Sequence, residues 1–318
     1  MRIMLLLVST GCASLDGFLH NPVPCESVSE ATCEDKDSDW DRICTPCDEE
    51  YDWSADIAWM EETIADGATI RAIAPEAVQD VDVEGSGGAV LDAYFIPAHG
   101  EHPENSEVTL VYHHGNYAGI EHYLPRVRMA HEAGFSVFVW DYRGYGKSTP
   151  AVVPTAEEWS GDARRVRDAV DEVAPDPERV LLYANSLGAI PAIEMALYRP
   201  GCALVTEAGF TSVESLVASN SGVSLPDSMI TSGEYNNIEK IEGVAGPLLA
   251  MIGDADETFR VEDTRRMVER AAAAAADKEL WVLPGVHHGI TSIGVPEAGY
   301  TDWAEKLDAF LDEVGACR

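Results

Sequence analysis

The sequence predicts an α/β fold in which helices cover both faces of a mostly parallel sheet. Two observations predict it: short apolar runs recur from about residue 58 onwards, and amphipathic segments of helical length separate them. Parallel strands are buried on both faces, so they read as nearly continuous apolar runs. The chain has 318 residues and 46% hydrophobic content, which is enough for one large domain with a modest extension.

The individual elements follow from this pattern. Seven apolar runs are predicted to be strands: 90–96, 108–112, 135–140, 180–183, 203–206, 248–252 and 280–283. Apolar residues recur every three or four positions in the four clearest helices, at 156–173, 187–198, 261–276 and 300–314. Six consecutive alanines, strong helix formers, complete the third of these helices.

The amino terminus has the pattern of an export signal. Residues 1–8 carry one positive charge and an apolar run that is too short to span a bilayer. The string Ser9-Thr-Gly-Cys12 resembles a bacterial lipobox, which makes residues 1–12 a signal peptide and Cys12 the lipidation candidate. The alternative is soluble secretion after cleavage behind Ala13. We therefore expect an exported protein, facing the periplasm or the cell exterior, whose only membrane contact is a lipid anchor at Cys12.

Residues 13–57 are predicted to be an acidic, cysteine-containing tether that precedes a domain at 58–318. Without Cys12 the chain has six cysteines, an even number that favours disulfides in an oxidising compartment, with the pairing left open. The alternative is a four-thiolate zinc site, but its first two cysteines are spaced too widely for a zinc ribbon. No metal site is therefore predicted. The four candidate thiolates are Cys25, Cys33, Cys44 and Cys47.

The charge balance restricts the partners. The 56 acidic and 21 basic residues give a net charge of −35, so nucleic acid is not an expected partner. An anionic surface of this kind suits a saline habitat, and it equally suits an ordinary acidic secreted protein.

Ser186 is the first candidate catalytic residue. It follows an apolar run directly and is flanked by small residues in Ala184-Asn-Ser-Leu-Gly188, as a nucleophile on a strained strand-to-helix turn requires. Alone, the string also fits an ordinary serine in a turn between strand and helix.

Further candidates follow neighbouring strands, at the sheet edge where the chemistry of α/β folds gathers. Asp256 follows the run 248–252, and His288 follows 280–283. Asp254 and His287 are the alternatives for the acid and the base. The run that ends at residue 112 continues into His113-His-Gly-Asn116, whose glycine permits a tight turn. The backbone amides of Asn116 and Leu187 are the predicted oxyanion donors.

Five strings together resemble the α/β-hydrolase family, in its small-cap, depalmitoylase-like branch. The similarity covers roughly residues 85–315. It departs from the family at Ala184 and Ala189, where glycine is usual, and at His113, where an apolar residue is usual. The strings are His114-Gly-Asn116, Asp141-Tyr-Arg-Gly-Tyr-Gly-Lys-Ser148, Asn185-Ser-Leu-Gly188, Glu207-Ala-Gly-Phe-Thr-Ser212 and Gly253-x-x-Asp256.

The resemblance implies a serine hydrolase with Ser186 as nucleophile, Asp256 as acid and His288 as base. It implies cleavage of esters or thioesters through an acyl-enzyme, with no cofactor. The segment between the predicted strands at 203–206 and 248–252 leaves room only for a short cap, at about residues 212–240. Asp141 and Arg143 are expected to form an ion pair that braces their loop. The alternatives are a peptidase-type hydrolase and a non-catalytic surface lipoprotein that uses the fold for binding.

Overall fold

The computed structural model describes residues 70–71, 73–116, 119–221, 235–288 and 299–317. The predicted signal peptide, Cys12, the tether and the four candidate zinc thiolates lie outside these residues, as do residues 222–234 of the predicted cap. What the sequence predicts for these residues therefore remains a prediction.

Ten strands are described, and eight of them form one sheet in the order β1-β4-β6-β5-β7-β8-β9-β10, while β2 and β3 pair separately. All pairs from β6 across to β10 are parallel; β1 and β4 are antiparallel to their neighbours at one edge. This confirms the predicted fold class. The strands are β1 (Gln79–Asp80), β2 (Val83–Glu84), β3 (Val90–Leu91), β4 (Ala93–Ile96), β5 (Thr109–His113), β6 (Ser136–Trp140), β7 (Val180–Asn185), β8 (Ala203–Glu207), β9 (Leu248–Gly253) and β10 (Lys278–Leu283).

The predicted run 90–96 is two strands. Its first part, β3, pairs with β2, and its second part, β4, pairs with β6 in the main sheet. Asp92 lies between them, and its backbone N–H donates to the Ser148 hydroxyl instead of a strand. The central strands β5, β6, β7, β8 and β9 are buried along their whole length, which explains why they read as unbroken apolar runs.

Helices pack on both faces of the sheet, and the sheet separates the interior into two apolar clusters. Thr155 caps the helix at Ala156–Val173 in a reciprocal capping box with Glu158, so this helix begins where the sequence predicts. The described helices are α1 (Ile120–Glu132), α2 (Ala156–Val173), α3 (Ala189–Tyr198), α4 (Val213–Ser221), α5 (Asn237–Lys240), α6 (Val261–Arg270) and α7 (Tyr300–Val314).

The prediction that a helix covers 261–276 is wrong at its end. Helix α6 stops at Arg270, and most of the alanine run forms the turn that leads into β10. Lys278, the first residue of β10, donates from its ammonium group to the carbonyl oxygens of Glu269 and Ala271. The pairing of β10 with β9 thus outweighs the helix propensity of the alanine run.

A disulfide joins Cys202, just before β8, to Cys317, just after α7. The two residues are 115 positions apart, so the bond fixes the C-terminal helix against the sheet. In the described part of the chain, no helix combines the length and the apolar character needed to cross a bilayer.

Candidate active site

The turn after β7 holds Ser186 in a left-handed backbone conformation, with φ of 51°. Such a conformation strains any residue other than glycine, and it is found where the surrounding structure fixes it. Gly188 allows the turn to pass close to the end of β5: a Cβ atom at this position would lie 2.2 Å from the carbonyl oxygen of His113. Ala184 is buried at the end of β7, so its methyl group is accommodated there.

Ser186, His288 and Asp256 form one hydrogen-bonded chain. The Ser186 hydroxyl lies 3.0 Å from Nε2 of His288, and Nδ1 of His288 lies 3.0 Å from Oδ2 of Asp256. The side chain of Asp256 is 1% exposed and that of His288 is 6% exposed. A carboxylate beside Nδ1 fixes the proton on that nitrogen, which leaves Nε2 to accept the proton of the serine hydroxyl.

The buried carboxylate is held from its other side. Oδ1 of Asp256 accepts the backbone N–H groups of Thr258 and Phe259, each at 2.8 Å. The ring of Phe259 contacts the His288 ring edge to face, with centroids 5.2 Å apart. The loop after β9 therefore orients both the carboxylate and the imidazole, and Phe259 contributes to the site although it belongs to no motif in the sequence.

The two alternative residues lie outside this chain of hydrogen bonds. Asp254 is exposed and accepts the backbone N–H of Gly285. His287 is 64% exposed, and its Nδ1 lies 3.3 Å from Oε2 of Glu257. Both contacts stabilise the loops on which Asp256 and His288 lie.

The predicted oxyanion loop packs directly against Ser186. A Cβ atom on Gly115 would lie 3.5 Å from Cβ of Ser186, so the loop backbone runs beside the serine. Two tyrosines hold it: the Tyr142 hydroxyl donates to the His114 carbonyl oxygen, and the Tyr145 hydroxyl donates to Oδ1 of Asn116, both at 2.6 Å. Leu187, the other predicted donor, opens the short turn between Ser186 and α3.

Asp141 and Arg143 do not pair with each other, which corrects the expected ion pair. Oδ1 of Asp141 accepts the backbone N–H of Ile120 and lies 3.3 Å from Nε2 of His114. Arg143 extends the other way and pairs with Asp162 and Glu158 of α2. Burial raises the pKa of the Asp141 carboxyl well above its usual range. The loop is braced, but by two separate sets of contacts.

His113 stands at the end of β5, at the position where the family resemblance leads us to expect an apolar residue. It is fully buried, and its Nδ1 accepts a hydrogen bond of 3.3 Å from the indole N–H of Trp140. Burial, with a smaller contribution from His114, lowers the pKa of His113 to about 3. The residue is thus a neutral part of the interior at physiological pH.

No group of three potential metal ligands occurs among the residues that the structure describes.

Comparisons with known proteins agree on the type of fold. A family model described as "Serine aminopeptidase, S33" matches residues 104–232. "Uncharacterized protein MT2364" of Mycobacterium tuberculosis is 32% identical over 214 residues, which are 67% of this chain and 73% of that protein.

Two solved structures are similar in fold. The esterase Pf2001 of Pyrococcus furiosus is 20% identical, with a TM-score of 0.59 over 74% of this chain and 91% of that chain. Est1E of Butyrivibrio proteoclasticus, solved with bound ferulic acid, is 16% identical, also with a TM-score of 0.59, over 74% and 99% of the two chains.

Proposed function

Because this chain belongs to the α/β-hydrolase family, we propose that it is a serine hydrolase that cleaves carboxylic esters or thioesters through an acyl-enzyme on Ser186. The observation that carries the proposal is the chain of two 3.0 Å hydrogen bonds from Ser186 through His288 to Asp256. A serine hydroxyl is a weak nucleophile until an adjacent base, oriented by a third group, takes its proton. These three residues have that relationship.

The proposed reaction begins with proton transfer from Ser186 to Nε2 of His288 as the serine oxygen attacks the carbonyl carbon of the substrate. The backbone amides of Asn116 and Leu187 stabilise the negative oxygen of the tetrahedral intermediate. The protonated imidazole, stabilised by Asp256, then gives its proton to the leaving alcohol or thiol. Water, activated in turn by His288, hydrolyses the acyl-enzyme and regenerates the serine. No step requires a cofactor.

The ester or thioester class is supported by the resemblance to the depalmitoylase-like branch and by the esterase activity named for the structural neighbour from Pyrococcus. The matching family model is described as a serine aminopeptidase, so aminoacyl amides are the second candidate substrate class. A panel of p-nitrophenyl esters, acyl thioesters and aminoacyl p-nitroanilides distinguishes them. Cleavage of the anilides alone would contradict the ester and thioester proposal.

A fluorophosphonate probe tests the nucleophile, because it reacts covalently with an activated serine. We expect the wild-type protein to be labelled and Ser186→Ala to remain unlabelled. A folded wild-type protein that takes no label would overturn the proposal and favour a surface lipoprotein that uses the fold only for binding.

We also propose that the protein is exported and anchored through a lipid on Cys12. The Cys202–Cys317 disulfide supports export, because disulfides persist in oxidising compartments. Growth with an alkyne-labelled fatty acid tests the anchor. Label on the wild-type protein that is lost in Cys12→Ser supports the anchor, whereas an unlabelled protein released into the medium supports soluble secretion.

A further inference from the structure

One of the family-like strings, Glu207–Ser212, contributes no residue to the proposed mechanism, yet its first residue takes part in a buried ion pair. Glu207 is the last residue of β8, and its Oε1 lies 3.2 Å from a guanidinium nitrogen of Arg126 on α1. The two side chains are only 9% and 6% exposed. The small cavity beside them has a volume of about 10 Å³, no more than a single water molecule requires. The pair is therefore shielded from solvent.

Further hydrogen bonds fix the orientation of this carboxylate. The hydroxyl of Tyr183 on β7 donates to Oε2 of Glu207 at 2.8 Å, and the indole N–H of Trp303 on α7 donates to the same hydroxyl at 3.0 Å. Arg126 also donates to the Tyr112 hydroxyl on β5. The carboxylate of Glu207 is thus held directly by groups from α1 and β7, and each of those groups is hydrogen-bonded in turn to a further element, β5 or α7.

The backbone beyond Glu207 is strained and connects to the nucleophile. Ala208 has φ of 46°, a left-handed conformation that is unfavourable for alanine. Two residues later, the backbone N–H of Phe210 donates to the carbonyl oxygen of Ser186 at 2.8 Å. Ser186 is itself left-handed, so strained residues follow two neighbouring strands, and the Phe210 hydrogen bond joins the two turns that contain them. Glu207 and Asn185, which precede them, are partners in the β7–β8 register.

We propose that the Arg126–Glu207 ion pair is a positioning device for Ser186. It fixes the end of β8, and thereby holds Ala208 in its strained conformation and presents the Phe210 amide to the backbone of the nucleophile. Arg126 belongs to the helix that begins just after the oxyanion loop, so the same pair links that loop to the serine turn. Neither residue touches the reacting atoms. The inference rests on the proposed function of Ser186.

The test is the rate constant for labelling of Ser186 by a fluorophosphonate, expressed per folded molecule, together with kcat and KM for a p-nitrophenyl ester. Glu207→Gln keeps the shape of the side chain and removes its charge. We expect labelling and kcat to fall by up to about 100-fold with KM unchanged, because small displacements of a nucleophile have effects of this size. A folded Glu207→Gln protein with the wild-type labelling rate would refute the inference.

Two further variants separate positioning from stability. Asp171→Asn breaks the ion pairs of Asp171 with Arg199 and with a deeply buried arginine, Arg167, near the end of α2 that lies far from the serine. We expect this control to melt at a lower temperature while its folded molecules label at the wild-type rate.

Adding Ala208→Gly to Glu207→Gln removes the backbone strain at residue 208 that the ion pair otherwise holds in place. We expect the double variant to recover part of the lost labelling rate. Equal slowing in Asp171→Asn, or no rescue by the glycine, would contradict the inference.

If Glu207→Gln fails to fold, Tyr183→Phe provides the same test with a milder change. It removes one hydrogen bond to Glu207, and we expect slower labelling with KM unchanged; a wild-type rate would refute the inference. Absence of labelling in the wild-type protein would instead overturn the proposed function together with this inference.

Discussion

Replacement of His113 by asparagine is expected to make the protein less sensitive to acid. In the native protein the Nδ1 atom of His113 must accept the N–H of Trp140, and in the described structure its buried Nε2 has no hydrogen-bond partner. A second proton would create a buried positive charge in this environment. The asparagine Oδ1 is able to accept the same indole N–H, and its side chain does not titrate.

The magnitude follows from the pKa shift of His113. Its pKa falls from the ordinary 6.5 to about 3, so below pH 6.5 the unfolded chain takes up a proton that the folded protein excludes. The contribution of His113 to stability is complete above pH 6.5 and is lost as the pH falls towards 3. At up to about 1.4 kcal/mol per pH unit, the loss between pH 6.5 and 4.5 is about 2 kcal/mol. That is a substantial part of the 5–15 kcal/mol that stabilises a typical domain, to order of magnitude.

The assay is urea unfolding followed by tryptophan fluorescence at several pH values between 7 and 4.5, with the disulfide intact. His131, whose pKa burial lowers to about 4, and Asp141, whose raised pKa acts in the opposite direction, are present in both proteins and cancel in the comparison. The difference in unfolding free energy between wild type and His113→Asn should therefore shift by about 2 kcal/mol in favour of the variant on acidification. If the unfolding free energies of the two proteins change in parallel with pH, His113 does not contribute this acid sensitivity.

Three further predictions concern the active site and the disulfide. Asp256→Asn should lower kcat by about 10⁴-fold, because the imidazole loses the group that fixes its tautomer. Asp254→Asn, at the neighbouring exposed carboxylate, should leave kcat unchanged. Similar losses in both variants would contradict the assignment of Asp256 as the acid. Gly188→Ala should abolish fluorophosphonate labelling, because the new methyl group would lie 2.2 Å from the carbonyl oxygen of His113 at the end of β5. A Gly188→Ala protein that is labelled normally would show that the turn has room to move. Replacing both disulfide cysteines by serine should lower the free energy of unfolding by about 2–5 kcal/mol, because the bond closes a loop of 115 residues. Urea unfolding with an unchanged midpoint would exclude that contribution.

The parts of the fold that the sequence predicts best are those whose patterns are local. The helix at Ala156–Val173 has its predicted bounds, because its apolar period and its Thr155 cap lie within a few residues of each other. The buried parallel strands were also predicted, since each is a short apolar run of its own. The alanine run at 271–276 was misassigned, because only the position of β10 shows that the chain must turn there.

For the candidate site, the positions of Ser186, Asp256 and His288 directly after predicted strands placed them at one edge of the sheet, and the structure brings them within hydrogen-bonding distance. The partners of buried charges could not be predicted in this way. Arg143 pairs with a helix instead of Asp141, and Arg126 pairs with a glutamate 81 positions away. Such contacts depend on how elements pack, and no local pattern records them.

The contact between residues 70–71 and helix α1 determines from which side the folded domain is best attached to another molecule. The Arg128 guanidinium donates to the carbonyl oxygens of Ile70 and Arg71, and Glu132 accepts the backbone N–H of Arg71. These residues lie near the C-terminal end of α1, just before β6 begins. That end of the helix therefore lies beside the amino ends of the parallel strands, at the opposite edge of the sheet from Ser186, which follows the carboxyl end of β7. A solid support attached on the side of Ile70 would lie away from the edge that carries the serine, which makes this the preferred side for immobilising the protein.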